Sequence, residues 1–537
     1  MGRGNPIVHP ILFAVFPVFF LYARNMGQFD LAVTVVPSAK AAGVAAAIWI
    51  VAGLAMRSAR KGAIIASLIV LPYFSFNSVA AVLRRFTSGG AGIGIEVRHP
   101  VAAVLIAAAA LGVYAVARTK KDLVKITSIF NFSAICLVAL PVMSIAAYEF
   151  RKAGREREAP RGADGAAALG VPASTPRPSV FYIILDGYGR SDMLEEVYGY
   201  DNSAFVNYLR GKGFYVAEGA RANYSHTRFS LASSLNMQYL DDLAKRVGAD
   251  YTDNDAVEKM IKDSTVRRVF AALGYRTVAF ATGFYGTDIE NADTFLRAPL
   301  GRDEFERGVS DAMTPKTDEE KAAYDRRRIL FTLEKLPGLA ATKMPVFVFA
   351  HIVAPHPPYV FNRDGGPADI DRYYDGLVSA NHLVNSEGIT RSKSMQLYID
   401  QLIFLDSRLT GVLDKILANS QGKAIVILQG DHGPCCFTHH EELSKTYLKD
   451  RMAILAALHL PDEAQKGLYE TVTPVNFFRI IFKGCFGLGY PPLADRSFYS
   501  SVLAPYKFVD VTDEIGSEAD QKRYEYLKGQ DYYGESE

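Results

Sequence analysis

Ile425-Val426-Ile427-Leu428-Gln429-Gly430-Asp431-His432-Gly433 decides how this chain reads. The apolar run is too short for a helix and rich in β-branched residues, so it reads as a buried parallel strand. It stops in an acid and an imidazole between two glycines. Open α/β sheets place their ligands at such carboxyl ends. Two other stretches repeat the plan: Val180-Phe181-Tyr182-Ile183-Ile184-Leu185 runs into Asp186-Gly187, and Val346-Phe347-Val348-Phe349-Ala350 runs into His351 and Pro355-His356-Pro357. Three buried strands ending in ligand-type residues imply one polar site along one edge of one sheet.

Outward from these strands, strand and helix patterns alternate from Ser179 onward, the sign of a mostly parallel sheet covered on both faces. Helices are expected over 203–212, 256–273, 319–336 and 474–482. Thr317 and Glu320 stand at capping-box spacing before the third. No internal repeat is present.

The first 150 residues differ in kind, with almost no acid before Glu149. Five apolar stretches, 7–23, 39–56, 62–83, 100–117 and 127–148, are long enough or nearly long enough to cross a bilayer as helices. None has an amphipathic face. A cleavable signal peptide does not fit, because the first stretch lacks a small-residue cleavage site and four more follow. Arg57, Arg60 and Lys61, then Arg118, Lys120, Lys121 and Lys125, sit in tight loops and suit the cytoplasmic side. Arg84, Arg85 and Arg98 lie in the opposite loop, and Arg151, Lys152, Arg155 and Arg157 follow the fifth stretch. The balance favours a cytoplasmic N-terminus, which after five spans puts the rest of the chain outside the cytoplasm. Residues 151–178, rich in Arg, Glu, Ala, Gly and Pro without periodicity, read as a tether. The reading is thus a membrane domain (1–150), a linker (151–178) and an α/β domain (179–537).

At 537 residues the chain exceeds one ordinary domain. A net charge of +2 and a pI near 8.1 do not suggest nucleic-acid binding. The cysteines are Cys136, the vicinal pair Cys435 and Cys436, and Cys485, with no CxxC spacing. In an oxidising compartment Cys485 could bridge to Cys435 or Cys436; buried free thiols are the alternative.

Chemistry concentrates in few residues. Asp186-Gly187 alone is a turn signal. Asp431-His432 says more, since a hard oxygen and an imidazole side by side are metal-type donors. Between Ala222 and Asn236, polar loop gives way at Phe229 to small residues and leucines that suit a tightly packed helix. Thr227 then falls at or near the helix start. There it serves either as a cap for exposed amides or as a nucleophile whose product rests on those amides.

Asp186-Gly187 after the first strand, Thr227 before a Ser/Leu helix, His351-x4-His356-Pro-Pro-Tyr and Asp431-His432-Gly433 occur in an order that resembles the alkaline phosphatase/sulfatase superfamily. With five spans ahead, the chain resembles the lipoteichoic acid synthase and lipid A phosphoethanolamine transferase branches. The resemblance implies a divalent ion, zinc or manganese, on Asp186, Thr227, Asp431 and His432. It implies Thr227 as the nucleophile, with a phosphothreonine intermediate. His356 would contact the phosphoryl oxygens or the leaving group. His351, Arg228, and His439 or His440 would contact substrate, His351 and the latter pair alternatively serving a second metal. Two departures stand out: Asp186 occupies a position where some membrane transferases carry Glu, and Pro434-Cys435-Cys436 replaces the acid-containing continuation of the phosphoethanolamine enzymes.

These residues imply a multi-pass enzyme of the inner (plasma) membrane with its catalytic domain periplasmic or extracellular. It would pass a phospho-head group from a membrane phospholipid to an envelope glycan or lipid. A phosphodiesterase or phosphatase would use the same intermediate. A sulfatase fits less well, because known sulfatases oxidise Cys or Ser to formylglycine and a secondary alcohol such as Thr227 cannot give an aldehyde. A catalytically inactive membrane sensor would not need the complete ligand set.

Overall fold

A computed structural model describes residues 6–24, 31–87, 98–157, 166–248, 250–298, 317–370, 380, 383–384 and 389–529. The chain divides into two compact units, the first ending at Glu158 and the second carrying the α/β fold. The loop residues 88–97 and the linker residues 158–165 lie outside the described residues.

In the first unit each apolar stretch coincides with one helix to within two residues at its ends or lies inside it: His9–Arg24, Val35–Ala55, Ala59–Thr87, Arg98–Arg118 and Val124–Arg157. By length and composition, Val35–Ala55, Pro100–Arg118 and Val124–Tyr148 are able to cross a membrane, and His9–Ala23 is apolar but shorter. Phe13, Ala45, Val70 and Ala134 pack inside. Leu54 (74% exposed), Leu111 and Phe132 (71%) point outward. Large apolar side chains on the outside suit a bilayer, where packing rather than water exclusion joins helices. The fifth helix continues to Arg157, so 151–157 are helical where the sequence reads as tether. The first proline beyond the stretch is Pro160, so nothing before it forbids the helix.

The second unit is built on a seven-stranded sheet of β1 (Val180–Leu185), β2 (Tyr215–Val216), β3 (Arg276–Phe280), β4 (Thr294–Leu296), β5 (Val346–Ile352), β6 (Ile425–Gln429) and β7 (Ala456–His459). Their spatial order is β2-β7-β6-β1-β5-β3-β4. β7 pairs antiparallel with both neighbours, and the other pairs are parallel. Alternate side chains feed two cores. Tyr182, Phe347 and Ile427 meet Leu231 and Leu235 of the Thr227–Asn236 helix and Phe478 of the Pro474–Phe486 helix. Phe181, Val348 and Val426 meet Leu333 of the Asp318–Leu339 helix and Leu405 of the Arg391–Asn419 helix. At roughly 1.5–3 kcal/mol per fully buried large apolar side chain, the three central strands are the firmest part of the unit.

Register sets the site. Ile184 of β1 lies level with His351 of β5 and Gln429 of β6, so Asp186, His351 and Asp431 leave the sheet at one edge. The capping box at Thr317 and Glu320 forms. The helix expected over 256–273 is instead two, Asp255–Lys262 and Thr265–Ala272, because Ser264 takes the extended conformation of an N-cap. All four cysteines are free. Cys436 packs in one core and Cys485 against the other, on opposite sheet faces, so the pairing the sequence left open does not form.

Candidate active site

Two buried carboxylates face each other at the sheet edge, each with one oxygen occupied. Asp186 Oδ2 accepts from His351 Nε2 at 3.1 Å, and Asp431 Oδ1 accepts from the Gly187 N–H at 3.1 Å. The other two oxygens, Asp186 Oδ1 and Asp431 Oδ2, are buried without a hydrogen-bond partner. Both lie 3.4 Å from His432 Nε2. Thr227 Oγ1 lies 3.1 Å from the same nitrogen. Two unpartnered carboxylate oxygens, an imidazole nitrogen and a hydroxyl around one point form a cation-type donor set, since buried charge without a partner is costly.

Backbone geometry holds these atoms. The glycines flanking Asp431-His432 allow close packing rather than open space around an ion. A Cβ on Gly430 would stand 2.3 Å from Tyr188 O, and one on Gly433 would stand 2.1 Å from Asp450 O. Ser230 Oγ donates to Asp431 O at 2.8 Å, tying the Thr227–Asn236 helix to the β6 end. Thr227 is the first helical residue and His226 the N-cap, with no side-chain cap bond. The hydroxyl of Thr227 is turned toward His432, and the capping alternative is not what the geometry shows. The His356 N–H donates to Asp186 O at 2.9 Å, and its Nδ1 donates to Pro357 O at 2.5 Å. The His356 and His432 rings are edge-on at 5.8 Å.

Burial, and then the neighbouring Asp186 charge, pushes Asp431 above the ordinary carboxylate range. Burial acts the same way on Asp186, but His356, the His351 hydrogen bond and His432 together hold it below the ordinary carboxylate range. His432 is kept far below the usual imidazole value by burial and then by Arg451. Its Nδ1 donates to Gly433 O at 2.9 Å, which leaves Nε2 with the lone pair that a metal takes.

The remaining candidates are placed unevenly. His351 has both ring nitrogens occupied, by Asp186 and by Thr287 Oγ1 at 2.9 Å. Arg228 is paired with Glu258 at 2.8 Å and lies 4.3 Å over the Phe284 ring. His439 Nδ1 accepts the Glu441 and Glu442 N–H groups. His440 Nε2 is buried without a partner, and its ring stacks on His226 at 6.1 Å. Burial, then Arg451, His226 and His356, pushes His440 down to about 2.

Sequence reasoning missed Arg451. It is buried, its Nε donates to Ser225 O at 2.5 Å, and Nη1 lies 3.1 Å from His432 Nδ1 and contacts Cys435 Sγ. It missed Tyr398 too, which donates to Gly187 O at 3.0 Å and accepts the Gly189 N–H. No motif or period marks either residue.

A family model described as Sulfatase matches residues 178–480, the whole sheet and every residue of this cluster. The chain belongs to the sulfatase family. It is, accordingly, a sulfatase-like enzyme. No curated protein matches it. Among solved structures it is similar to the zinc complex of the C-terminal periplasmic domain of EcEptC from Escherichia coli, with 13% identity and a TM-score of 0.40 over 65% of this chain and 96% of that one. It is also similar to the integral membrane lipooligosaccharide phosphoethanolamine transferase A of Neisseria meningitidis, with 12% identity and a TM-score of 0.37 over 88% and 94%. A phosphonate monoester hydrolase of Agrobacterium radiobacter matches with 16% identity and a TM-score of 0.37 over 60% and 80%.

Proposed function

We propose that this sulfatase-family chain is a membrane-anchored, metal-dependent phosphotransferase that moves a phospho-head group from a lipid donor to an envelope glycan or lipid. The observation that carries the reading is Thr227 Oγ1 at a helix start, 3.1 Å from His432 Nε2 in a cluster with two unpartnered carboxylate oxygens. Asp186, Thr227, Asp431 and His432 would hold the cation. Carboxylate, hydroxyl and imidazole donors admit zinc or manganese. When bound, the cation supplies positive charge that favours ionisation of a hydroxyl.

Thr227 Oγ attacks the donor phosphorus, forming the Oγ–P bond as the bond to the donor alcohol breaks. His356, with Nδ1–H fixed on Pro357 O, has Nε2 left as a proton carrier: protonated, it donates to a phosphoryl oxygen or gives its proton to the leaving oxygen. The phosphothreonine rests on the first helical amides, where the helix dipole favours negative charge. An acceptor hydroxyl then attacks phosphorus as its proton passes to His356 Nε2, and the Thr227 Oγ–P bond breaks. Arg228, His439 and His440 are the remaining substrate-side candidates. A threonine at this position argues against formylglycine chemistry, because oxidation of a secondary alcohol stops at a ketone. Five spans in the inner (plasma) membrane, with the catalytic unit outside the cytoplasm, would tether the site to a lipid donor. The apolar helices and loop charges support that placement.

Thr227→Ala is expected to lower turnover of a phosphodiester substrate by orders of magnitude, and Thr227→Ser to retain part of it. Near-normal turnover in both, with stability lowered by roughly 1 kcal/mol as for a lost cap, would contradict the proposal.

A further inference from the structure

The loop after β3 carries no motif, yet a chain of buried side chains runs from it to the cation-type cluster. A carboxylate only accepts, so His351 Nε2–H donates to Asp186 Oδ2 at 3.1 Å. His351 Nδ1 stands 2.9 Å from the Thr287 hydroxyl, which also lies 3.1 Å from Phe284 O. Thr287 Oγ1 lies 3.1 Å from Thr282 Oγ1. The Thr282 hydroxyl and N–H both reach Asp288 Oδ1, at 2.9 and 2.8 Å. His351, Thr287, Thr282 and Asp288 are all buried, Thr287 completely. His351 therefore has no nitrogen left for substrate.

We propose that the 282–288 loop is the outer brace of the metal centre: Thr287 fixes the ring of His351, His351 fixes Asp186 Oδ2, and Asp186 Oδ1 is thereby turned to the cation. His351 and Thr287 are positioning residues. This rests on the reading of Asp186 as a metal ligand. The same loop also touches the nucleophile side. Phe284 lies under the Arg228 guanidinium, 4.3 Å from ring centre to carbon. A Cβ on Gly286 would stand 2.3 Å from Arg228 Nε. Arg228 directly follows Thr227, so one short segment steadies residues on both sides of the site. Outer partners of this kind hold a ligand's orientation, and their loss typically weakens metal binding 10–100-fold.

The test is a zinc titration of the purified full chain in detergent against a chromophoric chelator. Thr287→Val keeps shape but removes the hydroxyl partner of His351, and should weaken zinc binding about 10–100-fold while still reaching the parent's stoichiometry. Thr287→Ser restores the hydroxyl and should bind close to the parent. Thr332→Val deletes a buried hydroxyl that bonds Arg328 O on the Asp318–Leu339 helix, and should leave zinc affinity unchanged. Parent-like affinity in Thr287→Val, or an equal loss in Thr332→Val, overturns the brace while the metal reading stands. A parent chain that takes up no zinc overturns both.

Discussion

Asp431 and Asp186 share one arrangement: one oxygen engaged by a protein donor, the other buried and unpartnered within 3.4 Å of His432 Nε2. Substituting either Asp431 or His432 removes a donor without disturbing the strand that carries it. Asp431→Asn keeps Oδ1 for the Gly187 N–H but puts a neutral amide where the cation needs charge. His432→Ala removes the only nitrogen in the set. Elemental analysis of both purified variants should find metal reduced at least about 100-fold, beyond the range for loss of an outer partner, with the fold retained. Full occupancy in both would place the metal elsewhere. At this scale the acids and His432 were legible because each ends a run of buried apolar residues. Thr227 was half legible: its place at a helix start was readable, but the turn of its hydroxyl toward His432 was not. Arg451, Tyr398 and Thr287 were illegible, since each reaches the site from a distant segment through contacts that leave no local pattern.

Among elements, the short Leu448–Met452 helix does more than its length suggests. Asp450 on it accepts from Tyr198 OH at 2.8 Å, from the Phe437 N–H at 2.9 Å and from Thr438 Oγ1 at 3.3 Å. It thus ties down the 433–438 turn after His432. Burial pushes Asp450 up to about 6, against those hydrogen bonds. A carboxyl whose folded value exceeds its unfolded one binds more protons folded than unfolded. Its stabilisation is therefore full below about pH 4 and declines as pH rises to about 6. Asp450→Asn lacks this titration, so the advantage of the parent over the variant in thermal unfolding midpoint should shrink across that window and then level off. An advantage that grows with pH would contradict the assignment. The split at Ser264 was readable in principle, because Ser before Thr265-Val266 is an N-cap signal inside the apolar period. The Thr227–Asn236 helix is buried from Phe229 through Asn236. Its serines bond Asp431 O, Gln238 O and Ser230 O, a use of small polar residues that binary patterning does not encode.

For the whole molecule, the change of composition near residue 150 separates a unit with outward apolar side chains from one with two buried cores, and this was plain in the sequence. The end of the fifth helix was not, because Arg and Glu suit a helix and a tether equally. The proposed topology, five spans with a cytoplasmic N-terminus, would put the catalytic unit outside the cytoplasm. A reporter phosphatase fused after Glu537 should be active, and a fluorescent protein exported unfolded to that side should be dark. The reverse pattern would remove the lipid-donor reading together with the topology. The central claim is covalent chemistry at one hydroxyl, and trapping tests it most directly. The full chain is incubated with a slow phosphodiester, quenched, digested and read by peptide mass spectrometry. The account predicts one added phosphoryl group on Thr227, absent in Thr227→Ala. An adduct on Ser225 or Ser230 instead, or no adduct while Thr227→Ala still turns over, would contradict it.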